Sequence, residues 1–479
     1  MSLSLRSVFV AASAFFGTRA LALAIALTPG VLAQAPESAA AKPAPGPNVL
    51  VISVDALRRD HMSSYGYARE TTPRIDALLA ESVVFESGFT PIARSLPAHV
   101  SLWTASWPHR HGVIAHGGAR NVFATGPLRR SAAEMLRDQG FKTTSFVGTY
   151  LLGKAGGLNI GFEFVDEPAK ADVGAREIVR TSSEIAERAA RWLGFHKGAA
   201  FALWTHFEAP AEPNDPPAEL LARFRGDGRS GALLDARGID PARFQIGFPT
   251  LLAIRMFFPE LEGTVTPTPE LTLPKVDRSK FESVLDRYDA DVRSVDDAVG
   301  VLLDRLKELK LDDSTLIVFV GAFGQSHGDR SVLGSGEVTL ENTLVPMAIR
   351  FPKAAGVAPR RVGGLASLID VLPTAFARTH PEVAAKLIAQ GDGRDLLAEG
   401  AAREYVLSMR TRRENARNDP GPIFAWRSRE WAYIYRPELT DYLFDLTDDP
   451  RELESVISKQ PEMAAKLKAR ALEAFGFAK

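Results

Sequence analysis

Two short stretches concentrate side chains able to do chemistry. Asp55 follows the apolar run Asn48–Val54, NVLVISV. That run has the pattern of a buried parallel strand, and open α/β sheets place ligands at the carboxyl ends of such strands. A carboxylate there either ligates a cation or serves as a capping and hydrogen-bonding group. The second stretch is Ser95-Leu96-Pro97-Ala98-His99. Pro97 suits the first turn of a helix. Ser95 then stands at a helix N-terminus, where free N–H groups and the helix dipole favour an anion. It reads either as an N-cap or as a hydroxyl nucleophile. His99, four residues on, falls on the same helix face and can mimic a Ser–His pair, although the sequence identifies no acid to orient it.

Other reactive types read as structural. His109 and His111 belong to a loop segment, and His327 with Asp329 reads as a polar surface loop. Trp103 and Trp107, four apart, read as packing on one helix.

Composition narrows the chemistry. The chain has 479 residues, with 57 Lys+Arg against 58 Asp+Glu. A near-neutral balance lacks the basic excess that nonspecific nucleic-acid binding needs. There is no cysteine. This removes disulfides, zinc-thiolate sites, a thiol nucleophile and any catalytic group made by oxidising a cysteine.

Elements that must position these groups are legible along the chain. Residues 1–33 read as a secretory signal: Arg6 and Arg19 supply charge, Ala20–Leu27 is apolar, and Pro29-Gly30 breaks the run before Val31-Leu32-Ala33. Ala20–Leu27 is too short to span a bilayer, which takes about 20 residues. The mature chain is therefore expected to be periplasmic or secreted, without a transmembrane segment. Residues 34–47 (QAPESAAAKPAPGP) read as an extended tether. Strands are predicted at 48–54, 142–147, 201–205, 315–320, 347–351 and 404–408, and helices at 73–81, 131–139, 178–193 and 281–309. Residues 208–275, rich in Pro and Gly, read as an insertion over one face of the sheet. This alternation predicts a doubly wound, mostly parallel α/β sheet over 48–410. Residues 411–479 change character: aromatic strands at 423–427, 431–436 and 442–446 precede a helix from Pro461, which predicts a small antiparallel sheet plus helix.

Six segments, in order, resemble the sulfatase family of the alkaline-phosphatase superfamily. They are Asn48–His61; Tyr65-Gly66-Tyr67 with Thr72–Leu78; Ser95–His99 with Ser101–Thr104 and Pro108–Val113; Tyr288–Val292 with Val295–Asp297; Thr315–Val320; and the closing Trp431–Tyr435, Tyr442–Leu446 and Asp448–Pro450. The resemblance implies a divalent cation, usually calcium, which takes roughly six to eight oxygen ligands. It places Asp55 at the first metal position and Ser95 at the nucleophile position. It also shows departures. The neighbouring acid position holds Ala56, and the second metal strand runs into Ala322-Phe323 in place of Asp and His or Asn. In the motif Pro, small residue, Arg, the Arg is His99. The Lys-x-His positions are Thr149-Tyr150-Leu151, and the leaving-group His and its Asp are Ala211 and Ala209. The expectation is an exported member of the family, catalytically impaired, that binds an anionic or glycan ligand (a sulfated or phosphorylated small molecule) or a partner. The alternative is an active sulfuric or phosphoric ester hydrolase using Ser95, with calcium or another divalent cation.

Overall fold

The computed structural model describes residues 46–477, except 116–120, 125, 127–128, 171–178, 213, 242–250, 262–263, 266–270, 272 and 413–420. The segments expected to be a signal (1–33) and a tether (34–47, all but its last two residues) lie outside the described residues. Residues 43–479 form one compact unit.

The main sheet contains β1 (Asn48–Val54), β2 (Val83–Phe89), β3 (Lys142–Val147), β4 (Phe164–Asp166), β5 (Phe201–Phe207) and β6 (Thr315–Gly321). A two-stranded hairpin follows, β7 (Ser326–His327) and β8 (Leu333–Gly334), and then β9 (Met347–Arg350) and β10 (Arg360–Ser367) complete the sheet. Strand order is β10-β2-β9-β6-β1-β5-β3-β4, parallel except for β9, which runs against β2 and β6. The mostly parallel, doubly wound reading holds.

Alternation along the strands divides the core. Val49 and Val51 of β1, with Leu316, Val318 and Val320 of β6, face one layer. Leu50, Ile52 and Val54, with Ile317 and Phe319, face the other. This is the period-two geometry of a strand buried on both faces. The helices, in chain order, are α1 (Pro73–Ala80), α2 (Ser95–Thr104), α3 (Pro108–His111), α4 (Ala132–Asp138), α5 (Ser182–His196), α6 (Ala218–Gly226), α7 (Ser230–Arg237), α8 (Leu251–Phe257), α9 (Arg278–Glu308), α10 (Leu340–Thr343), α11 (Leu368–Phe376), α12 (Pro381–Gln390) and α13 (Pro461–Ala474). Residues of α1, α5 and α9 fill the second layer, while residues of α2, α4, α11 and α12 fill the first. Trp103 ends α2 inside this core, but Trp107 lies beyond the helix, so the two share packing and not a helix face.

Two further readings are corrected. The strand expected at 404–408 in the main sheet is β11 (Val406–Arg410). It pairs antiparallel with β12 (Ile423–Arg427), followed by β13 (Trp431–Tyr435) and β14 (Tyr442–Asp445). The small sheet thus begins before residue 411, because β11 finds its hydrogen-bonding partner in the tail. His327 and Asp329 are not surface loop residues: they are 1% and 8% exposed. Asp329 is clamped by Arg58 at 2.7 Å and by Arg237 at 2.6 Å.

The 208–275 insertion folds into α6, α7 and α8, which pack along α9. Its apolar contacts include Leu234, Met256, Phe257 and Phe258 against Phe281, Val284 and Leu285. A buried polar clamp adds to these. Arg69 meets Asp227, Asp286 and Asp289 at 2.7, 2.8 and 2.8 Å, and also donates to Ser230 Oγ and to the Phe224 carbonyl.

Nearby, Asp291 on α9 is buried and accepts from Asn214 Nδ2 at 2.9 Å. Burial, opposed by that hydrogen bond and reinforced by Asp215, pushes its carboxyl up to about 7. A carboxyl raised in the native state binds its proton more tightly than in the unfolded chain, so stability falls as pH rises from about 4 to about 7. Asp291→Asn is expected to leave stability near pH 4 nearly unchanged and to raise it at pH 8, by an amount on the order of 4 kcal/mol. Denaturant titrations of both proteins at the two pH values measure this; an equal shift at both would assign the effect to packing instead.

Candidate functional site

β1 lies between β5 and β6 at the middle of the sheet, and Asp55 emerges from its carboxyl end with its N–H donating to the Phe207 carbonyl at 3.0 Å. Ala56 then turns the chain with φ of 53°, a left-handed conformation unusual for alanine. Tyr288 of α9 holds that turn: its hydroxyl donates to the Ala56 carbonyl at 2.7 Å and accepts from the Arg58 N–H at 2.8 Å.

Ser95 opens α2, whose ten residues are all buried. The structure brings Asp55, Ser95 and His99 to one place and adds His206. Ligating atoms of Asp55, His99 and His206 all lie within 4.8 Å of one another. His206 was not anticipated from the sequence. It sits in the apolar strand FALWTHF, and only the β1–β5 register, which pairs it with Ser53, reveals its position.

Hydrogen bonds fix each ring. His99 Nδ1 donates to the Ser95 carbonyl at 2.8 Å, and its Nε2 meets Ser53 Oγ at 2.9 Å. Ser53 Oγ also accepts from Trp204 Nε1 at 2.9 Å. His99 is therefore turned toward Ser53 and Trp204, not toward the Ser95 hydroxyl. His206 Nδ1 accepts from the Gly148 N–H at 3.2 Å, which assigns the ring proton to Nε2. That Nε2 stands 3.2 Å from Asp55 Oδ2 but outside good hydrogen-bond geometry. Both Asp55 oxygens and Ser95 Oγ are likewise buried without a well-formed hydrogen bond. Burial raises the Asp55 carboxyl, but His206, His99 and the Ser95 hydroxyl outweigh it and hold the group below its ordinary value.

The donor set does not fit calcium. It offers one carboxylate, one hydroxyl and two imidazoles, where calcium needs an oxygen cage. Ala56, Ala322 and Phe323 stand at the other expected ligand positions and belong to the apolar core, with Phe323 5% exposed. Imidazole-preferring metals fare little better, because the Gly148 N–H selects the His206 tautomer that lacks a free lone pair at Nε2. The cluster is also closed: Asp55 and His206 are 0% exposed, His99 1% and Ser95 5%. The Lys-x-His and leaving-group positions bring no cation either, since Thr149 is buried and Ala209 and Ala211 lack donors.

The sulfatase family model matches residues 47–380, most of the chain and every segment described above except the closing subdomain. The chain belongs to the sulfatase family. This sulfatase-family protein is 22% identical to an N-acetylgalactosamine-6-O-sulfatase of Bacteroides thetaiotaomicron, over 88% of its length and 91% of the relative's. Its fold is similar to that of a phosphonate monoester hydrolase of Agrobacterium radiobacter, with a TM-score of 0.66, 21% identity and coverage of 89% and 95% of the two chains. A further solved neighbour, in complex with its substrate D-glucosamine-2-N,6-O-disulfate, has a TM-score of 0.68 at 17% identity, covering 91% and 99%.

Proposed function

We propose that this sulfatase-family protein acts outside the cytoplasm, in the periplasm or secreted, as a binder of a sulfated or otherwise anionic glycan, with its Ser95 centre catalytically impaired. One observation carries the reading. The centre where the family's chemistry is expected is a closed cluster of one carboxylate, two ring-fixed histidines and a serine, and buried Ala56, Ala322 and Phe323 stand where the resemblance expects further ligands. A sulfate or phosphate ester needs cationic or metal stabilisation of its transition-state charge and a donor for the leaving group. Asp55 adds a negative charge to this centre, with no arginine or lysine among the described residues of the cluster to offset it. The ligand class is supported by relatives named for sulfated sugars. Among the described residues no helix is long and apolar enough to cross a membrane.

One observation favours the second reading, an active ester hydrolase. The Ser95 hydroxyl lies at the start of a helix, without a well-formed hydrogen bond, beside Asp55. The two readings separate in one experiment. The mature protein is purified with calcium, magnesium, manganese or zinc supplied, and metal content and hydrolysis of an aryl sulfate and an aryl phosphate are measured alongside Ser95→Ala. Metal far below one equivalent, with no turnover above the Ser95→Ala background, is expected. About one equivalent of metal, with turnover that Ser95→Ala abolishes, establishes the hydrolase.

A further inference from the structure

His61 closes the short helical turn Arg59–His61 that follows β1, and its side chain is fully buried. Both ring nitrogens are engaged. Nδ1 meets Asp289 Oδ1 of α9 at 2.7 Å, and Nε2 lies 3.0 Å from Nη1 of Arg237, the last residue of α7. A guanidinium can only donate, so Nε2 is the acceptor and Nδ1 carries the proton given to Asp289. The contact with Arg237 exists only while the imidazole is neutral.

Arg237 also fastens the insertion to the rest of the fold. Its Nη2 donates to both Asp329 oxygens at 2.6 and 2.7 Å, and its carbonyl accepts from Arg451 Nη2 at 3.0 Å. A protonated His61 would set an N–H against the Arg237 N–H, bringing two buried positive groups into contact. The neighbours do not remove that conflict. Asp60 is paired with Arg58 at 2.7 Å, and Asp289 with Arg69 at 2.8 Å. Tyr67 and Tyr288 pack on the ring with centroids at 4.6 and 4.8 Å and bring no charge. His327, 5.8 Å away, lies beside Arg58 and Arg237 and adds no negative charge. Burial, joined by Arg237, outweighs Asp289 and Asp60 and holds the His61 imidazole below its ordinary value.

We propose that His61 is an acid-sensitive latch on the insertion: while neutral it seats Arg237 and keeps α7 against α9, and its protonation releases Arg237 and with it α6 and α7. These two helices pack along α9 and share the Arg69 clamp, so they open as one unit. The direction follows from proton linkage. A base held neutral when closed, and titrating near about 6.5 when open, favours opening as pH falls below that value, by up to about tenfold per pH unit. Asp291 acts in the opposite sense, so the share of His61 is read from variants. The latch stands whether or not the Ser95 centre turns substrate over.

The test is hydrogen exchange of the full chain near pH 7.5 and near pH 5, corrected for intrinsic rates. The opening constant of α6 and α7 is expected to rise about tenfold or more in acid, and that of β1 and β5 less than about threefold. In His61→Gln, neutral at both pH values, the rise in α6 and α7 is expected to fall below about threefold. Arg237→Met gives a second readout should His61→Gln fail to fold. With the opposing guanidinium gone, the His61 signal in a proton NMR titration is expected to move its midpoint up by about one pH unit or more. No acid rise in the parent, an equal rise in folded His61→Gln, or an unmoved His61 midpoint in Arg237→Met would each overturn the latch.

Discussion

Arg69→Ala is expected to lower the stability of the native state by about 3–5 kcal/mol, the range for breaking a buried ionic cluster from one side. Arg69 is 1% exposed and is the shared cation of Asp227, Asp286 and Asp289. Removing it leaves Asp286 and Asp289 buried with their main positive partner gone. His61 and Tyr67 still contact Asp289, at 2.7 Å each, but neither brings a fixed charge. The loss is also directional. Asp227, Ser230 and the Phe224 carbonyl belong to the insertion, whereas Asp286 and Asp289 belong to α9. Hydrogen exchange and limited proteolysis are therefore expected to show α6 and α7 opening first, with β1, β5 and β6 still protected. Arg69→Met, which retains much of the stem volume, should rescue little, since the loss is one of charge. Uniform loss of protection across the main sheet would refute the local account.

Trp204→Ala is expected to cost about 3–5 kcal/mol, the range for truncating a large buried aromatic. Trp204 is fully buried on β5, with ring centroids 5.6 Å from Trp103, 5.7 Å from Phe162 and 5.3 Å from His99. Its indole N–H also supplies the hydrogen bond that seats Ser53 Oγ against His99. Two effects can be separated. Trp204→Phe loses the donor but keeps most of the aromatic packing, so it should cost less, about 1–2 kcal/mol. It should also alter the imidazole signals of His99 in a proton NMR spectrum while leaving those of His380 in place. Equal losses for the alanine and phenylalanine variants would show that the hydrogen bond, and not the packing, dominates.

Sequence alone reached much of this architecture, and the limits have physical causes. NVLVISV and TLIVFV read as buried strands because both faces of a central parallel strand are apolar. β2, VVFESGF, carries a polar break, and β10 contains Gly363-Gly364 with a register shift beside them, so neither shows a clean period. Asp55, Ser95 and His99 were found through strand-end and helix-start logic together with the family resemblance. His206 was hidden because an apolar strand conceals which of its residues a neighbour will face. Asp329 reads as loop polarity in the sequence because its partner Arg58 is 271 positions away in the chain, and His327 is buried with it. Local patterns carry no information about such pairings.

The turn at Ala56 has a wider meaning. Alanine in a left-handed conformation costs about 1 kcal/mol, and nothing in its methyl group favours that geometry. The geometry is imposed from outside, by the Tyr288 hydroxyl gripping the Ala56 carbonyl and the Arg58 N–H. The path of the chain through the centre is thus specified by a distant helix and not by the residue that occupies the turn. Scaffold and reactivity are therefore governed by different residues: Tyr288 on α9 sets the turn, while the side chain at position 56 only has to be small enough for the core around it. The backbone at the centre is thus held by α9, at a distance in sequence from the groups it presents.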